Sequence, residues 1–274
     1  ILVPDEETSG EAGIDYLDER SDDPLNCDAC IIGEPSLIHH PTIGQKGSFW
    51  FELNANGESE HGSLQPWAGK NAIRELISAI DELSTVSNIE SDPDEVIEDL
   101  IQNTIRFKTI EGLEEYQSLP LRRVSFNPGL IEGGSKINVV PDEARAEIDM
   151  RIPNGLKNTM IEKLVRNIID KYSIGLKILQ DTEPNFTSPE DTMILKLVEQ
   201  IEKTLNDDKP VVPVLQYASS DARIFRKRDI PTVQYGPCEM KGIHGVDEKV
   251  KTEDIVKCAV VYGRTIMDLL SENQ

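Results

Sequence analysis

The sequence predicts an α/β fold interrupted by a ferredoxin-like βαββαβ module, and three features carry that expectation. Between residues 46 and 183 the apolar positions follow strand, helix, strand, strand, helix and strand spacing in turn. The flanking segments alternate helical stretches with short apolar runs, the habit of strands covered on both faces. At 274 residues the chain is long enough for two domains of ordinary size. The expected boundaries place an α/β domain in two segments, 1–44 and 185–274, around an inserted domain at 45–184.

Each element has its own signal. Ile1, Leu2 and Val3 read as the end of a buried strand, stopped by the acidic turn Pro4-Asp5-Glu6-Glu7-Thr8-Ser9-Gly10. Such a strand wants neighbours on both sides, so further residues are expected upstream. Cys30, Ile31 and Ile32 form a second short strand ending at Glu34. From 46 to 56 apolar residues alternate with Ser48, Trp50, Glu52 and Asn54, a half-buried strand. Residues 66–87 carry Ile73, Leu76, Ile77, Ile80 and Leu83 at helical spacing, and 91–102 read as an acidic helix capped by Ser91 or Asp92. Strands follow at 121–126 and 144–152, then a helix at 154–172 and a strand at 175–179. The stretch 88–119, between the first module helix and its second strand, is read as an insertion within the module. The last segment reads as helix 189–206, strand 211–216, helix 220–227, strand 231–235 and helix 252–270.

Composition excludes several functions. Fifty acidic against 28 basic residues give a net charge of −22, which repels nucleic acid and anionic lipid. No apolar run approaches the roughly 20 residues that span a bilayer, and no signal peptide is visible. Cys27 and Cys30 form a CxxC pair without a second pair to complete a zinc ribbon, so reduced thiols and a cytoplasmic location are expected.

The residues able to do chemistry stand where α/β enzymes keep their ligands, at strand ends. Glu6 and Glu7 follow the first strand, Glu34 the second, and His244 the strand near Tyr235. Adjacent carboxylates on extended chain point opposite ways, so one can ligate a metal while its neighbour serves a bound water as general base. His61 lies in a glycine-flanked turn of the inserted module, where an ordinary turn histidine is the competing reading. His39 and His40 are expected at the surface, without a role.

In order along the chain stand Pro4-Asp5-Glu6-Glu7, Ile32-Gly33-Glu34-Pro35, Lys46-Gly47, Gly57 through His61 and Pro66 to Asn71-Ala72-Ile73, Ile137-Asn138-Val139-Val140-Pro141, Asp149-Met150-Arg151, Ser220-Asp221-Ala222-Arg223 and Gly242-Ile243-His244-Gly245. Together they resemble the acetylornithine deacetylase, succinyl-diaminopimelate desuccinylase and carboxypeptidase G family of co-catalytic zinc amidohydrolases. The resemblance implies an incomplete zinc-exopeptidase-like α/β catalytic domain with the inserted module as lid and dimerisation domain. It implies Glu6 as general base, Glu7 and His244 as ligands of one zinc, and Glu34 as a ligand of the other. Co2+ or Mn2+ would also suit such a site. His61 resembles a lid histidine that reaches the partner subunit's site and polarises the amide carbonyl, which implies a homodimer. Asn138, Arg151, Ser219 and Ser220 match substrate-contacting positions, and the guanidinium suits a carboxylate. The implied substrate is a small N-acyl amino acid or peptide.

The pattern is broken in more than one place. The family's remaining histidine ligand and bridging aspartate are not found in this sequence, so the chain by itself is expected to be metal-poor and inactive, and a longer form active. Cys238 also stands where the family usually has glycine. The alternative is a catalytically inactive binding or regulatory homologue that keeps the fold. Retention of Glu6, Glu7, Glu34, His61 and His244 together argues against it.

Overall fold

Helices and strands of the computed structural model are described for residues 1–6, 10–110, 115–239, 243 and 245–271. The chain packs as two units: Ile1–Gln45 with Glu95–Ser118 and Asn185–Gln274, and Lys46–Asp94 with Leu119–Pro184.

The second unit is the ferredoxin-like module. Its sheet has the order β4-β5-β3-β6, built from β3 (Gly47–Asn56), β4 (Ser125–Gly133), β5 (Glu143–Ile152) and β6 (Gly175–Thr182), antiparallel throughout. The period-two pattern sends Phe49, Phe51 and Leu53 of β3, with Ala146, Ile148 and Met150 of β5, to one face. The helices α2 (Ala72–Leu83) and α4 (Asn158–Ile169) present Leu76, Leu83, Ile161 and Val165 to the same core, and all of these side chains are buried. Each such burial contributes roughly 1.5–3 kcal/mol. The start of α2 is set by Asn71, whose side chain accepts the Arg74 amide at 3.1 Å. The opposite face of the sheet carries Ser48, Trp50, Asp149 and Arg151.

The first unit holds a mixed sheet of β1 (Cys30–Ile32), β2 (Thr42–Gln45), β7 (Asn185–Phe186), β8 (Val214–Gln216) and β9 (Thr232–Gln234). β1 pairs parallel with β9, and β2 pairs parallel with β8 and antiparallel with β7. Around it run the short helical turn α1 (Tyr16–Asp18), α3 (Glu95–Ile110), α5 (Thr192–Leu205), α6 (Ala222–Lys227) and α7 (Thr252–Ser271). α5 and α7 lie against each other, with Lys196 Nζ donating to the Asp268 carbonyl at 2.9 Å.

Several expectations are corrected. Ile1–Val3 joins no strand, and Ile1 and Leu2 are fully exposed. The strand expected at 121–126 begins at Ser125 and runs to Gly133, with a bulge between Pro128 and Leu130. Proline is tolerated there because β4 is an edge strand, where no outer neighbour needs its missing N–H. β2 went unread because its four residues are all buried and show no alternation. Residues 95–118, expected inside the inserted module, pack instead with the first unit. Thr104 Oγ1 accepts the Leu215 amide at 2.8 Å, and Phe107 stacks on His40 at 4.4 Å.

Candidate active site

In the first unit the turn carrying Glu6 is closed on itself. Asp5 accepts the Gly10 amide through its carbonyl at 2.8 Å and the Ala12 amide through Oδ2 at 2.9 Å. Gly10 sits at φ 81°, a left-handed conformation that suits glycine, and a β-carbon there would lie 3.2 Å from Arg223 Nη2 and 3.4 Å from Asp221 Oδ1. Arg223 in turn grips Asp15 through both Nη atoms, at 2.7 and 2.9 Å. The turn is therefore fastened to the start of α6. Burial raises the Asp221 carboxyl above its ordinary range, partly offset by Arg223. Glu6 is half-buried. Glu7 lies outside the described residues.

Glu34 is half-buried on the loop that leaves β1. That loop is laced to the segment leaving β9: Tyr235 N donates to Ile32 O at 2.9 Å, Ser36 N to Gly236 O at 3.0 Å, and Cys238 Sγ to Ser36 O at 3.2 Å. A β-carbon on Gly236 would stand 2.7 Å from the carbonyl oxygens of both Gly33 and Glu34, so only glycine permits this approach. The laced segment leads in sequence towards His244, which lies outside the described residues.

Ser220 is buried and occupied. Its hydroxyl donates to Gln45 Oε1 at 2.8 Å, and Gln45 Nε2 reaches Ser219 Oγ at 3.1 Å. Ser219 is half-buried. The buried Arg226 completes this network through Asn185 Oδ1 at 3.2 Å and the Thr232 carbonyl at 3.1 Å. Ser220 thus ties the segment entering α6 to Gln45 of β2, a role the sequence reading missed along with Gln45. His39 and His40, expected at the surface, are buried at 7% and 5% exposure. His39 Nε2 pairs with Asp207, and burial pushes the His40 imidazole down to about 4.

In the second unit, His61 and Asn138 are brought together. The Gly62 amide donates to the Asn138 carbonyl at 2.8 Å, His61 bridges Val139, and Val140 N donates to Glu60 O at 2.8 Å. The exposed His61 ring accepts the Ser63 amide on Nδ1 at 3.3 Å and meets Ser63 Oγ at 2.8 Å. An Nδ1 that accepts places the neutral ring's proton on Nε2, leaving that N–H as an outward donor. An open cleft of about 610 Å³ borders Gly62, Gln65, Lys136, Ile137 and Val139.

Arg151 lies on the helix-free face of the sheet, 22% exposed. Its Nε donates to Asp149 Oδ1 at 2.8 Å, and its guanidinium carbon stands 5.1 Å from the Trp50 ring centre. Among the described residues neither Nη atom has a partner. Lys46 nearby is buried, donating to the Arg123 carbonyl at 2.8 Å. Burial, and then the charge of Arg151, push its amine down to about 7. Trp50 and Asp149 were not read as site residues, although the alternation already placed Trp50 on the polar face.

Of the implied metal ligands only Glu34 lies among the described residues, and among those residues no group of three His, Cys, Asp or Glu is placed to hold a metal. Two carboxylates and an imidazole are nevertheless a donor set that a divalent metal accepts. Cys27 and Cys30 are free thiols, with Cys30 pushed up to about 12 by burial. Among the described residues no helix is long and apolar enough to cross a membrane.

Residues 43–175 match the peptidase dimerisation domain of the M20 family. A probable carboxypeptidase of Ajellomyces dermatitidis is 26% identical over 97% of this chain and 56% of its own length. A probable succinyl-diaminopimelate desuccinylase of Staphylococcus aureus is 24% identical over 94% of this chain and 62% of its own. The structure of an M20 family metallo-carboxypeptidase from Sulfolobus solfataricus aligns with a TM-score of 0.72 and 19% identity, over 96% of this chain and 68% of that one. The chain spans little more than half the length of the first of these relatives.

Proposed function

The chain is a relative of the M20 peptidases and amidohydrolases, and we propose that it serves the hydrolysis of an amide bond beside a carboxylate, in a small N-acyl amino acid or peptide. The observation that carries this reading is a pair of donors in the dimerisation module that have no partner among the described residues. His61 offers Nε2–H to a carbonyl oxygen, and Arg151 offers two Nη groups to a carboxylate. Glu6 accepts the proton of the attacking water and hands it to the leaving amine. Ser219 and Asn138 contact the bound substrate. Glu7 and His244 would hold one zinc ion and Glu34 the other, and the bound metal would supply Lewis-acid polarisation. The protein works as a cytoplasmic homodimer, with His61 serving the partner subunit's site.

The test is an assay of acetylornithine, succinyl-diaminopimelate and C-terminal dipeptides, with added zinc, on this chain and on the longest product of its gene. His61→Ala is expected to lower kcat roughly 10²–10³-fold with little change in KM, the usual effect of losing an oxyanion donor. Arg151→Lys is expected chiefly to raise KM. No hydrolysis by either protein would overturn the reading and favour a binding homologue.

A further inference from the structure

On the helix-free face of the second unit, Arg151 is held by two neighbours, Asp149 and Trp50. Trp50 and Asp149 are a cross-strand pair between β3 and β5, and Ser48 faces Arg151 one pair further along. Two donors converge on a single carboxylate oxygen: Trp50 Nε1 reaches Asp149 Oδ1 at 2.6 Å and Arg151 Nε reaches the same atom at 2.8 Å. The guanidinium carbon lies over the indole, 5.1 Å from its ring centre. Ser48 Oγ is fully buried beside this group and among the described residues has no hydrogen-bond partner.

A guanidinium has five N–H donors in a rigid fork, and fixing Nε fixes the direction of the other two nitrogens. Asp149 does this with one oxygen, while Trp50 holds that oxygen and backs the guanidinium plane. Asp149 is poorly suited to serve as a mere counter-ion here, because a carboxylate beside an anion site repels the anion. Its place beside Arg151 makes sense if orientation outweighs charge.

We propose that Asp149 and Trp50 are positioning residues that aim the two Nη groups of Arg151 as a two-point receptor for the substrate's carboxylate. The proposal deepens the function above and rests on it for the identity of the ligand.

The experiment uses the whole chain with Trp67→Phe, so that Trp50 is the only remaining indole and reports binding by its fluorescence. The probe is N-acetylglycine. Saturable quenching is expected, with affinity about tenfold weaker in Asp149→Ala and in Arg151→Lys. Asp149→Asn keeps an acceptor oxygen for both donors while removing the charge, so it is expected to bind at least as tightly as the parent. A loss of folding in the alanine variant would show in its thermal melt, and the asparagine variant then decides by itself, since weaker binding there overturns the proposal. Equal or tighter binding by Asp149→Ala, as simple removal of a negative charge predicts, also overturns it. So does absence of quenching in the parent. Binding that follows this series in a protein without hydrolysis would sink the hydrolase reading alone. Hydrolysis with an indifferent Asp149→Ala would sink the positioning role alone.

Discussion

Lys46 shows how one residue can work against its fold. Its amine is held at about 7 against an ordinary value of 10.5, because burial disfavours the ammonium and Arg151 adds like charge. Between those two pH values the unfolded chain binds a proton that the folded chain does not. Stability from this group therefore rises with pH across that window, and the penalty is complete below 7. Lys46→Met is expected to raise Tm most at pH 6, less at pH 8 and least above pH 10. The gap should close by on the order of 1.4 kcal/mol per pH unit, offset throughout by about 1 kcal/mol for the lost bond to Arg123. Melts at the three pH values check this, and a gap independent of pH would count against it. The identity of Lys46 beside Gly47 could be read from the sequence. Its burial could not, because it depends on which strands flank β3.

At the scale of elements, alternation made β3 and β5 legible, short apolar runs bounded by turn residues marked β1 and β9, and β2 and most of β4 gave no such signal. β3 and β5 alternate cleanly, and their Gly47–Ile152 register follows from keeping Phe49, Phe51, Ile148 and Met150 on one side. β2 is buried on all four residues, and β4 carries a proline and two glycines, so neither shows the expected signal. The site divides the same way. Glu34 could be placed at a strand end by inspection, but the pairing of β1 with β9 that laces its loop to Gly236 is a long-range fact. Gly236→Ala would force a β-carbon against two backbone oxygens that have little room to move. It is expected to destabilise the protein by about 1–3 kcal/mol. Thermal unfolding measures that loss, and an unchanged Tm would mean the lacing is looser than described.

For the molecule as a whole, the edge strand β4 is where the proposed homodimer is expected to form. It has one neighbour, β5, and its Leu130 and Ile131 are 56% and 55% exposed. Long apolar edges invite pairing with another chain, as natural proteins otherwise guard against. Light scattering on the purified chain is expected to give twice its 30.6 kDa mass. Ile131→Glu should return it to the monomer while changing the stability of the isolated protomer by no more than about 0.5 kcal/mol, as for a surface change. A wild-type monomer would remove the support for a trans role of His61.

The interleaved chain path also sets a timetable. All four strands of the second unit have been synthesised once Thr182 is made, whereas β1 waits for a partner that begins at Thr232. Chain closure over longer spans is entropically slower, and domains tend to fold as units in the order they are synthesised. The module is thus born first and stands folded while Cys30–Ile32 remains unpaired. Pulsed hydrogen exchange during refolding should protect β3 and β5 amides before those of β1 and β9. The half of the molecule that carries Glu34 would then be the last to take shape, on a scaffold already in place.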